Sequence, residues 1–311
     1  MSVPPLPAAV TLGTRASALA RAQTELVAAR LVATREELAC TTRVISTTGD
    51  RTQDSGEPLP SIGGKGLFTA ELERALRDGD IDVAVHSLKD LPTEDAPGVA
   101  IGAVTARDDV RDCLVARTAG SLAELPAGAV IGTSSLRRSA QLAAVRPDLE
   151  IRSIRGNVDT RVRKVTEGEY DAAVLAAAGI RRLGLEGAVT EWLSDETMLP
   201  APGQGALAIQ CRADDEGVLA LLAELDDAEA RAETTAERDF LRALGGGCAA
   251  PVAALATVAT TPRVRLQGLV ASVDGRDVVR VIGEGNPHEI GERLAEEALS
   301  RGADRILAGV R

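Results

Sequence analysis

The feature that most constrains the fold is a regular alternation of short β-type runs with Ala- and Leu-rich helical runs. In the first ninety residues, the strand-type runs AVTLGT (9–14), TTRVIS (41–46) and IDVAVHS (81–87) alternate with helical runs at 17–33 and 67–77. This order is typical of parallel α/β units, whose ligand sites lie at the carboxyl ends of the strands. We therefore expect functional residues in the loops that follow these strands.

The same alternation starts again near residue 110 and predicts a second α/β domain built on similar lines. Its runs are, in order, CLVA (113–116), AVIGT (129–133), a helix at 135–145, EIRSI (150–154), a helix at 158–167 and AAVLAAAG (172–179).

The stretch MLPAPGQGALAIQC (198–211) combines prolines and glycines with an apolar run, which indicates a crossover back to the first sheet. Three β-type runs and a helix at 288–301 then predict a small α+β domain, with Asp274-Gly275 as a hairpin turn. The predicted division is a discontinuous first domain (1–106 and 201–225), a second domain (107–200) and a third domain (226–311).

Composition limits the possible partners. Aromatic residues make up 1% of the chain and the net charge is −11, so stacking platforms and broad cationic surfaces for nucleic acid are not expected. No apolar run reaches the length of about 20 residues that a membrane-spanning helix needs, and the start MSVPPLPAAV lacks the pattern of an export signal. We expect a cytoplasmic protein with no membrane partner.

Cysteine and histidine are too few and too scattered for a metal site or a disulfide framework. The chain has four cysteines without a C-x-x-C pair, and two histidines, His86 and His288. If a thiol has a function, we expect it to act singly, as a nucleophile or an attachment point.

Cationic residues concentrate in 131–164, which holds seven arginines and one lysine against three acidic residues. Arginine pairs carboxylates and phosphates through two parallel hydrogen bonds, so several arginines in one site favour a polyanionic small molecule. Solvated helix faces are the simpler explanation for any single arginine. Arg137, Arg138 and Arg155 are better candidates because they follow predicted strand ends.

Two further loops could bind anions. In GTRAS (13–17), Arg15 stands between a strand and a helix that Ser17 can cap, although a plain capped turn explains the motif equally well. SIGGKGLFTAELERAL (61–76) places Lys65 in a glycine-rich stretch without the spacing of a nucleotide-binding loop, so we interpret it as a mobile loop or lid.

The stretch AVHSLKDLP (84–92) ends an apolar strand with His86, Ser87, Lys89 and Asp90. A carboxylate at a strand end could stabilise a cation that develops on a substrate, or could transfer a proton. Alternatively, Asp90 caps the turn or pairs with Lys89.

The stretch LGGGCAAP (244–251) places Cys248 directly after three glycines. Such a turn lets the backbone approach a bound group closely and leaves the thiol accessible. The alternative is a buried cysteine that acts as a small apolar side chain. The glycines favour a functional thiol.

Taken together, these motifs resemble the porphobilinogen deaminase family, also called hydroxymethylbilane synthase. The motifs that carry the resemblance are, in chain order, GTRAS, GGKGLFTAELERAL, AVHSLKDLP, GTSSLRR, IRGNVDTR, APGQGALAIQ and LGGGCAAP, which span residues 13–251. The departures are an alanine where many relatives carry proline in GTRASALARAQ, and small residues directly after Cys248.

The resemblance implies two α/β domains like those of periplasmic binding proteins with a central cleft, plus a small C-terminal α+β domain. It also implies a transferase of tetrapyrrole (heme) biosynthesis that condenses four porphobilinogen molecules into hydroxymethylbilane and releases ammonia. The family's cofactor is a dipyrromethane made from the substrate and held by a thioether, which falls on Cys248.

The resemblance further implies roles for individual residues. Asp90 matches the catalytic aspartate, and Lys65 and Phe68 lie in the lid loop. The residues that match cofactor contacts are Lys89, Ser135, Arg137, Arg138, Arg155 and Arg161. The residues that match substrate contacts are Arg15, Ser17, Arg155 and Arg182.

Two other classes of protein fit part of the pattern. A non-catalytic carboxylate carrier of the periplasmic-binding type would use the same arginines but would need neither Asp90 nor Cys248, and it should carry an export signal. A cysteine-nucleophile hydrolase or acyl transferase would need an imidazole base, for which only His86 is plausible. Without a heptad pattern or a broad apolar stripe, we expect a monomer.

Overall fold

The computed structural model describes residues 5–48, 69–247 and 250–310, which form two compact units. Unit 1 contains the described residues of 5–107 together with 206–231, and unit 2 contains 108–205 together with the described residues of 232–310. Three residues singled out in the sequence, Lys65, Phe68 and Cys248, lie outside the described residues.

The strands of unit 1 and unit 2 are numbered together along the chain. They are β1 (Ala9–Thr14), β2 (Ala39–Val44), β3 (Val83–Ser87), β4 (Val99–Val104), β5 (Asp112–Ala116), β6 (Val130–Gly132), β7 (Glu150–Arg152), β8 (Ala172–Ala176), β9 (Glu191–Trp192), β10 (Leu207–Arg212), β11 (Val252–Thr260), β12 (Arg263–Ala271) and β13 (Val278–Gly285).

The α-helices are numbered in the same way. They are α1 (Ala18–Thr34), α2 (Ala70–Arg77), α3 (Leu136–Val145), α4 (Val158–Thr166), α5 (Ala177–Arg182), α6 (Glu216–Leu222), α7 (Ala228–Ala243), α8 (Pro287–Ala298) and α9 (Asp304–Ala308). Short 3₁₀ turns occur at Leu88–Asp90, Glu186–Ala188 and Ala223–Leu225, and a π-helical turn at Leu299–Ala303 joins α8 to α9. Within the residues that the structure describes, no helix has the length and apolarity that crossing a membrane requires.

Unit 1 is built on a five-stranded sheet in the order β2-β1-β3-β10-β4. β1 pairs in parallel with both β2 and β3, whereas β10 runs antiparallel to β3 and β4. The parallel strands β1 and β3 therefore end at the same edge of the sheet, and the loops that follow them are neighbours.

The core of unit 1 follows from the apolar residues of these strands and of helix α1. Leu12, Val83 and Ile209 are fully buried and pack with Val27 and Leu31 of α1 in one cluster. Burying such side chains contributes about 1.5–3 kcal/mol each relative to leaving them exposed. This packing fixes the position of α1, and with it the loop between β1 and the helix.

Unit 2 repeats this plan in a sheet of the order β7-β6-β8-β5-β9. β6 pairs in parallel with β7 and β8, and β5 runs antiparallel to β8. Because β5 is antiparallel, its first residue, Asp112, pairs with the last residue of β8, Ala176. The start of β5 therefore lies at the same edge as the carboxyl ends of β6 and β8.

The C-terminal part of unit 2 is an antiparallel sheet, β11-β12-β13, packed against helices α7 and α8. Phe240 of α7 is fully buried in its core, and an added Cβ at Gly268 would lie only 2.5 Å from the Phe240 ring. The hairpin between β12 and β13 turns at Gly275, which has a φ of +71° and touches the backbone of α3 at Ala143 and Ala144. A side chain at position 275 would collide with that helix.

The structure confirms the predicted α/β class and most of the predicted elements. β1 coincides with the predicted run at 9–14, and β10 confirms the predicted return of the chain to the first sheet. The second strand begins and ends two residues earlier than predicted, at Ala39–Val44. β4 and β9 were not predicted, and the division into three domains stays a prediction.

Candidate active site

A polar pocket lies at the carboxyl edge of the unit 1 sheet, where the loops after β1 and β3 are neighbours. GTRAS follows β1, and Leu88–Asp90 follows β3 as a single 3₁₀ turn. The polar residues that line this pocket are Arg15, Ser17, Gln23, Thr69, His86, Ser87 and Asp90. Two motifs that are about seventy residues apart in the sequence therefore contribute to one pocket.

Ser17 caps helix α1 at this pocket. Its Oγ accepts a hydrogen bond from the Ala20 N–H at 3.3 Å, and the first turn of the helix contains no acidic residue. The end of a helix with free N–H groups carries a partial positive charge, which Arg15 supplements with a full charge. The combination favours a negatively charged group in the pocket.

Gln23, which sequence analysis did not single out, joins helix α1 to the end of β3. It is buried, and its Nε2 donates a hydrogen bond to Ser87 Oγ at 2.9 Å. A buried glutamine one turn into an apolar helix is the local signal that could have identified it, since buried polar side chains require partners.

Asp90 is exposed at the wall of the pocket, and Lys89 beside it is half-buried. The 3₁₀ turn is closed by a hydrogen bond from the Leu91 N–H to the Leu88 carbonyl at 3.1 Å. Leu88 and Leu91 are both buried, so they anchor the turn on the core while Asp90 points away from it.

His86 is buried behind this turn and lines the same pocket. Burial is the main cause that lowers the pKa of His86 from 6.5 to about 4; the positive charge of Arg15 adds to this, and the Gln210 side chain opposes it in part. Within the described residues, neither His86 Nε2 nor Gln210 Oε1 has a hydrogen bond of acceptable geometry. The imidazole is therefore neutral near pH 7.

A second polar edge lies in unit 2, where the loops after the parallel strands β6 and β7 meet. Ser134 Oγ donates a hydrogen bond to the Ile154 carbonyl at 2.6 Å, which ties the two loops together. Ser135 caps α3 by accepting a hydrogen bond from the Arg138 N–H at 3.4 Å. This edge is where the sequence predicted a carboxylate-binding site.

Arg155 and Gly156 lie in the loop after β7, and Arg161 lies in helix α4, which follows that loop. Gly156 has a φ of +110°, a backbone conformation that favours glycine, and its carbonyl accepts a hydrogen bond from Arg161 Nε at 2.8 Å. Arg155 directly precedes this glycine and is half-buried. Arg155, Arg161 and Ser135 therefore lie on one edge of the unit 2 sheet.

Arg137 and Arg138 are not solvated cations. Their side chains are only 4% and 8% exposed, and each donates a hydrogen bond of 2.8 Å to a different oxygen of Asp112, which is fully buried. Arg137 also donates to the Leu199 carbonyl, and Arg138 donates to the Val174 carbonyl. Sequence analysis missed Asp112, because its pairing depends on the antiparallel placement of β5.

Arg182, the last residue of α5, contacts a different part of unit 2. Its NH2 group donates a hydrogen bond to the Gly205 carbonyl at 2.6 Å, and its Nε lies 3.7 Å from Asp108 Oδ2. Gly205 has a φ of +93°, and an added Cβ would lie 2.6 Å from the Asp108 carbonyl oxygen. Arg182 thus contacts the segment that leads into β10.

The three described cysteines are poor nucleophiles. Burial raises the pKa of Cys113 to about 12 and that of Cys211 to about 11, and burial also raises the pKa of the half-buried Cys40. Among the described residues, no group of three or more His, Cys, Asp or Glu side chains is arranged to hold a metal ion.

These features define a class of α/β protein in which each of two five-stranded sheets has a polar, cation-containing edge, as expected for binding an anionic small molecule. Residues 10–220 match the family model described as "Porphobilinogen deaminase, dipyromethane cofactor binding domain", and residues 231–300 match "Porphobilinogen deaminase, C-terminal domain". The chain therefore belongs to the porphobilinogen deaminase family.

Curated relatives agree with this assignment over nearly the whole chain. The porphobilinogen deaminase of Brevibacillus brevis is 48% identical over 300 residues, covering 96% of this chain and 96% of the relative. That of Roseiflexus castenholzii is 49% identical over 302 residues, covering 96% of this chain and 99% of the relative.

Solved structures include a distant likeness to the methionine-binding protein MetQ, with 13% identity and a TM-score of 0.46 over 70% of this chain and 90% of that one. At this distance the likeness says nothing about function.

Membership of the family establishes the activity. The chain is a transferase of tetrapyrrole biosynthesis that condenses porphobilinogen into hydroxymethylbilane, and dipyrromethane is its cofactor. The carrier and hydrolase alternatives are not supported.

Proposed function

We propose that Asp90 is the catalytic carboxylate of this transferase. The observation that carries the proposal is its exposed position on a turn anchored by Leu88 and Leu91, in a pocket that also holds Arg15 and the capped end of α1. Porphobilinogen is an amine with two carboxylates, and positive charge develops on it as ammonia leaves. A fixed carboxylate stabilises that charge and can hold a proton, while Arg15 and Ser17 bind the substrate's carboxylates.

Cys248 is the proposed attachment point of the dipyrromethane cofactor. LGGGCAAP matches the family's motif, and the raised pKa values of Cys113 and Cys211 make these buried thiols unsuitable for forming a thioether. When bound, the cofactor supplies the primer to which substrate units are added.

The donors present suit a cofactor of this chemistry, since a dipyrromethane carries two carboxylates on each pyrrole. The residues that would hold it are Lys89, Ser135, Arg137, Arg138, Arg155 and Arg161, and those for the substrate are Arg15, Ser17, Arg155 and Arg182. Arginine binds carboxylates through paired hydrogen bonds. Arg155 directly precedes Gly156, whose carbonyl accepts a hydrogen bond from Arg161 of α4. Lys65 and Phe68 belong to the proposed lid.

The protein is proposed to act in the cytoplasm as a monomer with porphobilinogen as its small-molecule partner, and to consist of three domains. These proposals rest on the composition and on the family. A gel-filtration mass at the 32.2 kDa of one chain would support the monomer.

The intact mass of the purified protein tests the cofactor proposal. We expect the wild-type mass to exceed that of the sequence by the mass of a dipyrromethane, about two pyrrole units, and Cys248→Ser to abolish this increment. Cys40→Ser is the matched control and should keep it. An active wild-type protein without the increment would contradict the proposal.

A further inference from the structure

Asp112 is a buried acidic residue that the established activity does not explain. It is the first residue of β5, and its side chain is fully buried. Because β5 pairs antiparallel with β8, Asp112 lies beside the last residue of β8, at the edge of the sheet where β6 and β7 also end and the loops after them begin. A carboxylate at this edge is close to the proposed cofactor-binding loops.

Both oxygens of Asp112 are engaged by cationic groups of one helix turn. Oδ2 accepts a hydrogen bond from Arg137 NH2 and Oδ1 accepts one from Arg138 NH2, each at 2.8 Å. Gln204 Nε2 also donates to Oδ1, at 2.9 Å. Charge-assisted hydrogen bonds of this length fix a guanidinium in orientation as well as in position.

Main-chain acceptors fix the same two guanidinium groups from other directions. Arg137 NH1 donates to the Leu199 carbonyl at 2.7 Å, and Arg138 NH1 donates to the Val174 carbonyl at 3.1 Å. Gln141 in turn holds Leu199 by accepting a hydrogen bond from its N–H and donating one to its carbonyl. The arginines are therefore held by three separate segments of unit 2.

Stability alone is a weak reason for such an arrangement. Removing charged groups from water is costly, and apolar replacements of buried ion pairs are often neutral or stabilising. Burial lowers the pKa of Arg137, with Asp112 opposing the shift and Arg138 adding to it. The buried ion cluster is therefore better explained by the orientation that it gives the two guanidinium groups than by its contribution to stability.

We propose that Asp112 is a positioning residue, which orients Arg137 and Arg138 so that together they can receive a carboxylate of the cofactor or of the growing chain. This inference rests on the proposed function, in which these arginines bind the cofactor. Asp112 itself contacts no reacting group. Its contribution is to hold two flexible side chains in one geometry before the anion binds, which lowers the entropy lost on binding.

Two substitutions separate positioning from simple stabilisation. Asp112→Asn keeps the shape of the side chain and removes its charge. Asp112→Glu keeps the charge but places the carboxylate one methylene group further from the backbone. Asp171→Asn is the control: Asp171 accepts a hydrogen bond from the Val130 N–H at the opposite edge of the same sheet and pairs with Arg117. For each variant, the folded fraction is measured by circular dichroism, cofactor content by intact mass, and KM and kcat for porphobilinogen.

In folded protein, we expect both Asp112 variants to lose about tenfold or more in cofactor content or to raise KM by a similar factor, whereas Asp171→Asn keeps wild-type values. Wild-type cofactor content and KM in either folded Asp112 variant would overturn the proposal, whatever its stability. If Asp112→Asn does not fold, Asp112→Glu decides. A wild-type protein without the mass increment would instead contradict the proposed function itself.

Discussion

His86 and Arg15 line the same pocket of unit 1, and the charge of Arg15 adds to the burial that keeps the imidazole neutral. Because the imidazole is neutral, the guanidinium of Arg15 carries the positive charge of this pair. That charge attracts an anionic group to the pocket, and His86 does not compete for it.

The low pKa of His86 predicts a pH dependence of stability. Its pKa of about 4 in the folded state lies below the ordinary value of 6.5, so the unfolded chain binds more protons between these two values. The free energy of unfolding should therefore fall as the pH falls from about 6.5 to about 4, by at most about 3 kcal/mol from this residue.

Substituting His86 isolates this effect. His86→Gln should show a smaller loss of stability over that pH range than the wild type, measured by urea unfolding at each pH. If His86→Gln and the wild type show the same slope, the imidazole does not have the low pKa.

Gly205 provides a prediction about the segment that leads into β10. It combines a φ of +93° with an added Cβ only 2.6 Å from the Asp108 carbonyl oxygen, and its own carbonyl accepts hydrogen bonds from Arg182 and from the Asp108 N–H. Gly205→Ala should therefore be strained both by its φ and by the collision, which we expect to cost about 3 kcal/mol or more in total.

Gly184→Ala is the matched control, because Gly184 has a φ of +66° but nothing within 4 Å of an added Cβ. It should cost only the strain of left-handed backbone, about 1–2 kcal/mol. Urea unfolding midpoints compare the two. Equal losses would show that the contact with Asp108 relaxes without cost.

The alternation of runs predicted the elements that carry the proposed site. β1, β3 and α3 were predicted because their apolar residues and flanking polar residues are local signals, and the loops after them were identified for the same reason. β9 was missed because two residues are too short to show a period. β4 was missed because VAIGAV lacks the alternation of a half-buried strand.

The pairing of Arg137 and Arg138 could not be predicted from spacing. Asp112 is 25 and 26 residues away from them, and it approaches them only because β5 is inserted antiparallel beside β8. The same limit applies to His86, whose pKa depends on burial and on a residue of another loop. Local sequence reveals which side chains can do chemistry, whereas their partners are set by the sheet order.

Arg155 is expected to contribute to binding rather than to stability. Arg155→Leu removes a charged hydrogen bond to the bound anion, which should cost about 1.5–3 kcal/mol of binding free energy. The variant should therefore show a higher KM for porphobilinogen or a lower cofactor content. Arg163→Leu is the control, because Arg163 is exposed on α4 and, among the described residues, its side chain makes a long ion pair of 3.9 Å with Glu167. A change in unfolding midpoint with unaltered kinetics would indicate that Arg155 has a structural role only.

Asp90 gives the most direct test of the proposed chemistry. Asp90→Asn keeps the size of an exposed side chain, so the unfolding midpoint and the cofactor mass increment should stay at their wild-type values. Because the amide cannot stabilise a developing cation or hold the proton, kcat should fall by about 10²–10⁴. Asp95→Asn, an exposed carboxylate five residues further along the chain, should leave kcat unchanged. If both Asp90→Asn and Asp95→Asn keep the wild-type kcat, the Asp90 carboxylate has a structural role in the turn after β3. Another group must then stabilise the charge that forms as ammonia leaves.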